Sequence, residues 1–309
     1  MGQISVKIQN RTYRLSCGDG EEARLGELAD HVRSKVEQLV QEYGHLGEEH
    51  LLLMSAILIA DELWDEREAG KPFENYHEVR RVMVANDYYQ FWSAMQRRSQ
   101  EMMWESVIEP TERELESLVA RYEQIAAEKP AGGSLDLDPD LPVPRYHTAH
   151  DIHLQPGGYH TERTENDVAA GVVYEGGLPI YIDGELGPDN DRIGMALLKY
   201  FEAEFPDMKP GRILDMGCTV GNSTLPWAEA FPDAEVHAID VAAPCLRYGH
   251  ARAELAGVPV HFSQRNAECT GFDAESFDVV LSHIVIHETS KPALRNIIAE
   301  SYRLLKPGG

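Results

Sequence analysis

The sequence predicts an α/β protein: a Rossmann-like parallel sheet in its C-terminal part, preceded by a helical region and a small N-terminal ββα segment. Two observations carry this prediction. From residue 211 onward, short apolar runs alternate with helix-length segments, which is typical of a parallel sheet with right-handed crossovers. Before residue 130, apolar residues recur mostly at helical spacing, apart from one alternating stretch at the start. At 309 residues, the chain has room for about two domains.

The composition disfavours several classes of protein. The formal net charge is −24, from 52 acidic and 28 basic residues, which argues against a nucleic-acid partner because phosphate binding needs clustered Lys and Arg. The longest apolar run, residues 51–60, is about half of what spans a bilayer, so we expect no membrane span. Four cysteines lie far apart with no C-x-x-C pair, which favours a reducing, cytoplasmic location: Cys17, Cys218, Cys245 and Cys269.

The first 68 residues predict two short strands and a helix. The stretch ISVKIQNRTYRLSC alternates apolar and polar residues on both sides of Gln9-Asn10-Arg11, which is typical of a hairpin. A helix with one apolar face should come next: Leu25, Leu28, Val32, Val36, Leu39, Val40 and Tyr43. Residues 51–60 are apolar nearly all round, which indicates either a buried core helix or a subunit interface. We favour the interface, because so small a unit has little else to bury them against.

Residues 1–68 resemble the ZapA family of bacterial cell-division proteins. The resemblance rests on GQISVKIQNRTYRLSCGDGEEARLGELADHVRSKVEQL, continued by LLLMSAILIADELWDERE. Members of that family have a strand-helix head and a long coiled coil, self-associate, and cross-link filaments of the tubulin-like protein FtsZ without catalysis. The resemblance implies a homo-oligomer through residues 47–66 and FtsZ as a partner, with Arg24 and Arg33 on the filament-binding head. The stretch AGKPF at 69–73 interrupts the expected coiled coil.

Residues 69–145 predict a helical region followed by a Pro-rich linker. Large aromatic and Met side chains are dense between residues 74 and 108, a pattern more typical of a core or of a lid over a pocket than of a cofactor site. A second helix should open with the capping box TERE, in which Thr111 caps and Glu114 reaches back, and should end near Glu128. The stretch EKPAGGSLDLDPDLPVP then indicates a connector.

Four histidines lie close together in the stretch RYHTAHDIHLQPGGYHTER: His147, His150, His153 and His160. Imidazole is a common metal ligand, so a metal site is one interpretation. The alternative is a loop whose histidines form local hydrogen bonds or line a substrate pocket. A strand or loop arranges this spacing poorly around one ion, and Asp151 is the one acid fixed nearby. We therefore expect no metal site.

The stretch from residue 211 carries the candidate chemistry. RILDMG predicts a short apolar strand, and NSTLPWAEAF opens a helix. Between them, DMGCTVG offers Asp215, Gly217 and Gly221 where a dinucleotide-binding turn would show G-x-G-x-x-G, with Thr219 at the central glycine position. A lone glycine-rich turn is a weak indication, so its weight depends on the residues at the ends of the next strands.

The later spacing supports a nucleotide-binding turn. AEVHAID ends in Asp240, 25 residues after Asp215, where a carboxylate can accept both ribose hydroxyls. VPVHFSQ predicts a third strand, and the loop after it brings Asn266 and Ala267 to an adenine edge. FDVVLS predicts a fourth strand that ends at Ser282.

Together these elements resemble the class I S-adenosylmethionine-dependent methyltransferases over residues 212–309, in a domain that should start near residue 146. The resemblance implies S-adenosyl-L-methionine as cofactor and a set of residues that bind it: Asp215, Gly217, Cys218, Gly221, Asp240, Val241, Asn266, Ala267 and Ser282. Many members carry Asp where this chain has Asn266, whose amide oxygen can still accept from the adenine amine. Thr219 in place of a glycine implies an ordinary backbone conformation at that position.

Methyl transfer needs alignment more than acid–base chemistry, because the sulfonium methyl is already activated. His283 and His287, in SHIVIHE, come after the fourth strand where an acceptor should lie, and His287 is our first choice for a base or acceptor contact. A satisfied surface or helix-start histidine is the alternative for each. An NAD-dependent dehydrogenase is the rival enzyme on this fold, disfavoured by the glycine spacing. We expect a small-molecule acceptor of unidentified kind.

The ending RLLKPGG raises the question of completeness. In the family fold, the helix that closes in such a sequence precedes a fifth strand, and the strand order is 3-2-1-4-5-7-6. This chain stops after four strands, so we expect a methyltransferase cut short, and inactive if the later strands are required. The alternative function is a non-enzymatic ZapA-type scaffold that self-associates and bundles FtsZ filaments.

Overall fold

The computed structural model describes residues 2–8, 11–18, 20–43, 73, 75–128 and 131–309. The chain divides into two compact units, residues 1–102 and residues 103–309. The hairpin lies in the first unit and the parallel sheet in the second. The domain boundaries predicted at residues 68 and 145 stay a prediction. Among the described residues, no helix combines the length and the apolar character needed to cross a bilayer.

The first unit contains the predicted hairpin and helix. Strand β1 (Gly2–Ile8) pairs antiparallel with β2 (Arg11–Cys17), with Gly2 opposite Cys17. Because the sequence alternates, every second side chain points to one face, and helix α1 (Glu22–Tyr43) packs on that face. Buried side chains from these elements and from the next long helix form one core: Val6, Ile8, Tyr13, Leu15, Ala29, Val32, Val36, Leu39, Phe91 and Met95.

Two helices are the first elements described in the region predicted to be helical. Helix α2 (Tyr76–Met83) begins after Asn75, whose Oδ1 accepts from two backbone amides of its first turn. Helix α3 (Asp87–Arg113) comes next. The apolar run 51–60, the self-association segment 47–66 and the first four residues of AGKPF lie outside the described residues.

The helix predicted to open at Thr111 begins later. Helix α3 continues through Pro110 and Thr111, and helix α4 (Leu115–Glu128) comes after it. Thr111 is buried, and its hydroxyl donates to the carbonyl of Val107 at 2.8 Å, one helical turn back. A hydroxyl used in this way cannot cap a new helix, so the predicted capping box is wrong. The predicted end of this helix near Glu128 is confirmed.

In the second unit, strands and helices alternate over residues 212–264, and further helices lie before that range and after the last strand. Its strands are β3 (Ser134–Asp136), β4 (Arg212–Met216), β5 (Glu235–Asp240), β6 (His261–Gln264) and β7 (Val279–Leu281). Its helices after α4 are α5 (Arg145–Thr148), α6 (Ala169–Tyr181), α7 (Arg192–Glu204), α8 (Thr224–Ala230), α9 (Ala243–Ala256) and α10 (Lys291–Leu304). Single 3-10 turns cover Ile152–Leu154 and Ile286–Glu288.

All strand pairs in the sheet of the second unit are parallel, in the order β3-β6-β5-β4-β7. The α/β fold class and the four strands predicted from residue 211 are therefore confirmed, and strands β6-β5-β4-β7 lie in the order 3-2-1-4 of the family fold. Strand β3 is an additional edge strand. It lies in the stretch predicted to be a connector, which is a correction to that prediction.

Long-range contacts, rather than a sequence pattern, position strand β3. The buried carboxylate of Glu254 on α9 accepts from the amide of Ala131 at 2.6 Å and from that of Gly133 at 2.7 Å. The Ser134 hydroxyl and His261 Nδ1 lie 2.8 Å apart. A three-residue strand is too short to show a period of its own, so the Gly and Pro residues around it dominate the sequence pattern.

The central strands are covered on both faces, which explains why their sequences are nearly continuous apolar runs. One face packs Ile213, Val236, Ala238 and Phe262 against helices, and the other packs Leu214, Met216, Ile239 and Phe277. This packing fixes the positions where strands β4 and β5 end. The loops that leave those carboxyl ends form one wall of a cavity.

Candidate functional site

A cavity of about 350 Å³ opens at the carboxyl ends of the parallel strands. One side, here called the strand-end wall, consists of residues at or just after the ends of β4, β5 and β6: Gly217, Cys218, Thr219, Asp240, Val241, Asn266 and Ala267. The other side, here called the histidine wall, comes from two distant segments: His147, His153, His283, His287 and Glu288. A cavity of this size at this edge of a parallel sheet is the usual ligand position in such folds.

The turn after β4 requires glycine at its first position. Gly217 has φ +79°, and its amide donates to the carbonyl of Ile239 at 2.8 Å. A Cβ built at Gly217 would lie 2.3 Å from Cγ2 of Val285, which also lines the cavity. Glycine is therefore needed here both for the left-handed backbone and for the close approach of Val285.

Asp215 lies behind the cavity rather than on its wall. The hydroxyls of Ser223 and Thr224 each donate to Asp215 Oδ2 at 2.7 Å, which ties strand β4 to the start of α8. Burial raises the pKa of Asp215 to about 6, and the two hydroxyl donors partly oppose that shift. Gly221 is also behind the wall, with φ +83° and Leu225 Cδ1 at 2.9 Å from a Cβ built there.

Thr219 does not have the ordinary backbone conformation that the sequence led us to expect. Its φ is +49°, in the left-handed region that favours glycine. The amide of Thr219 donates to Asp240 Oδ2 at 3.0 Å, and this bond holds the strained turn against the end of β5. A threonine in this conformation costs about 1 to 2 kcal/mol, which the surrounding contacts offset.

Asp240 ends strand β5 and lines the cavity. Its second oxygen, Oδ1, accepts from the amide of Ala242 at 2.9 Å, so backbone amides hold both carboxylate oxygens. Burial raises the pKa of Asp240, and the amides of Ala242 and Thr219 partly oppose that shift. Each oxygen keeps a further lone pair with which to accept from a ligand.

The loop after β6 brings two more predicted residues to the cavity. Asn266 and Ala267 both line it, and Asn266 Oδ1 accepts from the amide of Glu268 at 2.9 Å. The hydroxyl of Tyr146, which also lines the cavity, donates to the Glu268 carboxylate at 3.0 Å and so helps to hold this loop. Ser282, also predicted to bind a cofactor, is exposed and does not line the cavity.

Both predicted catalytic histidines line the cavity. Nε2 of His283 is buried and has no hydrogen-bond partner in the part of the chain that the structure describes. Burial lowers the pKa of His283, so its imidazole is neutral near pH 7. A buried polar atom without a partner costs about 1 to 3 kcal/mol, and such atoms in native proteins call for an explanation such as a catalytic role.

His287 belongs to a cluster with His153 and Glu288. Glu288 Oε1 lies 2.8 Å from His153 Nε2 and 3.1 Å from His287 Nε2, and the two imidazole nitrogens are 3.2 Å apart. His153 has φ +50°, and the indole nitrogen of Trp104 donates to its carbonyl at 2.7 Å. His153 was considered only together with its neighbouring histidines and Glu288 was not predicted at all, because the two residues lie 135 positions apart and no pattern links them.

The remaining histidines of the stretch 147–160 have separate positions. His147 lines the cavity, whereas His150 is exposed. Burial lowers the pKa of His160. The interpretation of these residues as pocket-lining histidines therefore applies to His147 and His153.

An aromatic side of the cavity was also missed from the sequence. Tyr159 and Tyr174 meet edge to face with ring centroids 5.5 Å apart, and Tyr181 lines the cavity beside His153. Burial raises the pKa of both Tyr159 and Tyr174, so both hydroxyls stay protonated. The sequence does place Tyr174, Gly177 and Tyr181 at helical spacing, so that they share one face of a helix. That spacing alone does not show whether the face lies in the core or lines a pocket.

The site combines three features: a glycine turn after β4, a carboxylate at the end of β5 and a cavity between them. This combination is typical of α/β domains of the nucleotide-cofactor-binding class. Comparison with protein-family models makes this more specific. The methyltransferase domain family matches residues 213–309, and the cell division protein ZapA family matches residues 4–122. Two different parts of the chain thus match the methyltransferase domain family and the ZapA family, and both resemblances seen in the sequence are confirmed.

Individual relatives agree with the methyltransferase match. A demethylmenaquinone methyltransferase of Thermus thermophilus is 34% identical over 100 residues, which is 32% of this chain and 44% of that protein. An uncharacterized methyltransferase of Synechocystis is 31% identical over 103 residues, 33% of this chain and 46% of that protein. The chain spans less than half the length of these relatives.

A similarity to solved structures was also found. A phosphoethanolamine N-methyltransferase of Haemonchus contortus, in complex with phosphomonomethylethanolamine and S-adenosylhomocysteine, is 30% identical to this chain. The match covers 38% of this chain and 26% of that chain, with a TM-score of 0.33.

Proposed function

We propose that the cavity binds S-adenosyl-L-methionine and that the chain transfers its methyl group to a small-molecule acceptor. The methyltransferase match over residues 213–309 supports this function. One observation carries it: Asp240 lines the cavity at the end of the second strand, with backbone amides on both of its oxygens. A carboxylate held in this way can accept hydrogen bonds from two neighbouring ribose hydroxyls.

The residues of the strand-end wall fit this cofactor. Of the nine residues predicted to bind it, six line the cavity: Gly217, Cys218, Asp240, Val241, Asn266 and Ala267. Gly217 and Cys218 border the methionine part in this proposal, Asp240 holds the ribose, and Asn266 with Ala267 contacts the adenine. Asp215 and Gly221 act from behind the wall, by shaping the turn.

S-adenosyl-L-methionine, when bound, supplies a methyl group on a sulfonium, which is already activated for transfer. The residues of this chain then have to align the acceptor and receive its proton. His283 suits the proton-accepting role, because its imidazole is neutral near pH 7 and its Nε2 has no partner among the described residues. His287 suits an acceptor contact, because it lines the cavity and its side chain is half-exposed.

The first experiment is a calorimetric titration of the whole chain with S-adenosylhomocysteine. Asp240→Ala removes both ribose contacts, and charge-assisted hydrogen bonds are worth about 1.5 to 3 kcal/mol each, so we expect binding to weaken about 100-fold or more. Asp233→Ala is the matched control, because Asp233 is exposed on the loop before β5. The control should bind like the parent. Equal binding by the Asp240→Ala variant would show that the ribose assignment is wrong.

We propose a second function for the N-terminal part, a division scaffold that self-associates and binds FtsZ filaments. The ZapA match over residues 4–122 supports it, and Arg33 is a partly exposed cation on helix α1 of the matched head. The ZapA resemblance implies that charged positions of this head contact the filament, and the Arg33 guanidinium also pairs with Asp30 one turn earlier in α1.

Sedimentation tests this scaffold in two ways. Changing Ile57 and Leu58 to Asp should reduce self-association, because the proposed seam at 47–66 is apolar; both positions lie outside the described residues. Arg33→Ala should reduce co-sedimentation with FtsZ filaments, while the exposed Gln38→Ala control on the same helix should not. Self-association that survives both charged substitutions would contradict the seam.

A further inference from the structure

We propose that His153, His287 and Glu288 bind a divalent first-row transition-metal cation inside the cavity. The three side chains come from the two segments of the histidine wall, and each offers one ligand atom. These atoms lie within 4.8 Å of one another. Two imidazole nitrogens and one carboxylate oxygen are a donor set that suits Zn²⁺, Mn²⁺ and Fe²⁺.

The separations of the donor atoms fit one shared ion. With metal bonds of about 2.0 to 2.2 Å, neighbouring ligand atoms around a tetrahedral or octahedral ion lie roughly 2.8 to 3.5 Å apart. The three observed separations are 2.8, 3.1 and 3.2 Å. An ion can therefore be accommodated with small shifts of these side chains.

The backbone around His153 brings its ring to this position. His153 and Leu154 are consecutive non-glycine residues with φ of +50° and +58°. The Trp104 indole donates to the His153 carbonyl, and Gly177 lies so close to that indole that a Cβ there would be 2.6 Å from its Cζ3. Strained backbone that is fixed from outside is common at ligand sites, and here it holds the one ligand that is distant in sequence from the other two.

Three protein ligands leave open coordination positions, as in catalytic rather than structural metal sites. The cluster is accessible from the cavity, since the His153 and His287 side chains are 33% and 48% exposed. A cation there holds an acceptor oxygen and lowers its pKa, so the substrate class is one with a hydroxyl, enol or carboxylate group. This positioning role rests on the proposed methyl transfer, whereas the cation site itself does not.

Equilibrium dialysis of the whole chain against ZnCl₂, with metal analysis of the protein, tests the site. We expect the His153→Ala and Glu288→Gln variants each to weaken Zn²⁺ binding about 100-fold or more. His150→Ala is the matched control, because it removes an exposed histidine of the same segment that is not one of the three ligands. The Co²⁺ form should show a visible d–d absorption that is lost in both ligand variants and kept in the control.

Two results would overturn the proposal: no Zn²⁺ bound by the folded parent chain, or binding that neither ligand variant weakens. Circular dichroism of each variant shows whether lost Zn²⁺ binding reflects a lost ligand or a lost fold. If His153→Ala unfolds, Glu288→Gln still tests the site, because glutamine keeps the shape of the glutamate side chain. A titration with S-adenosylhomocysteine on the same samples separates the two proposals. Retained cofactor binding without Zn²⁺ binding rejects the cation site alone, and Zn²⁺ binding without cofactor binding rejects the methyl-transfer role alone.

Discussion

The two walls of the cavity are held in place by different parts of the chain. On the strand-end wall, backbone amides fix Asp240, and those amides belong to turns anchored by the buried sheet. On the histidine wall, the side chains of His153, His287 and Glu288 contact one another. The two walls therefore differ in what shapes them: backbone hydrogen bonds shape the first wall, whereas contacts between side chains shape the second.

The close packing behind Gly217 gives the largest expected effect on the strand-end wall. Gly217→Ala introduces both a strained left-handed alanine and a contact of 2.3 Å with Val285. We expect the free energy of unfolding, measured in urea, to fall by about 4 kcal/mol and binding of S-adenosylhomocysteine to be lost. Gly257→Ala is the control, since Gly257 has φ +74° and open space around it. It should cost about 1 kcal/mol, and an equal loss in both variants would show that the contact with Val285 is unimportant.

The buried carboxylate of Asp215 gives the next effect, through pH. Its pKa is raised from the ordinary value of 3.8 to about 6 in the folded chain, so its stabilising contribution is fully present below pH 3.8 and is lost as the pH rises through about 6. Between pH 4 and pH 7, we expect the parent to lose about 2 kcal/mol more stability than Asp215→Asn. Asp233→Asn should track the parent curve. Parallel curves for the parent and Asp215→Asn would contradict the raised pKa.

The strained turn at Thr219 gives the smallest effect, and it has the opposite sign. Thr219→Gly removes the cost of a left-handed threonine but adds the chain entropy of glycine. We therefore expect the free energy of unfolding, measured by thermal unfolding, to rise by about 0.5 to 1 kcal/mol. Thr164→Gly is the control, because Thr164 is exposed and is not among the residues with positive φ. It should destabilise slightly. A loss in the Thr219→Gly variant would show that its side chain contributes more than its backbone costs.

The strand-end wall could be predicted from the sequence because its residues lie next to strand ends. A strand that is buried on both faces shows an apolar run, and the residue that comes after it is then at the sheet edge by necessity. Asp240, Asn266 and Ala267 were identified in this way and line the cavity. Asp215 and Gly221 were predicted from the glycine-rich turn, yet they lie behind the wall, because spacing along the chain does not show which residues of a turn face the cavity.

The histidine wall could not be predicted as a unit, because its members meet only through the tertiary fold. The ring nitrogens of His153 and His287 are hydrogen-bonding neighbours from positions 134 residues apart. The positive φ of Thr219 was missed for a related reason. The Thr219 amide donates a hydrogen bond to Asp240, which belongs to another strand, and this contact holds the turn in its conformation. Patterns within a short window cannot report contacts of this kind.

Strand β3 has a consequence for association between chains. An unpaired strand edge can act as a template for a second polypeptide, and β6 would present such an edge without its neighbour. The three residues of β3 cover the edge of β6, so β3 becomes the edge strand of the sheet. Strand β3 is short and ends in the exposed acid Asp136. The Glu254 carboxylate, which accepts from the amides of Ala131 and Gly133, therefore helps to keep this edge of the sheet covered.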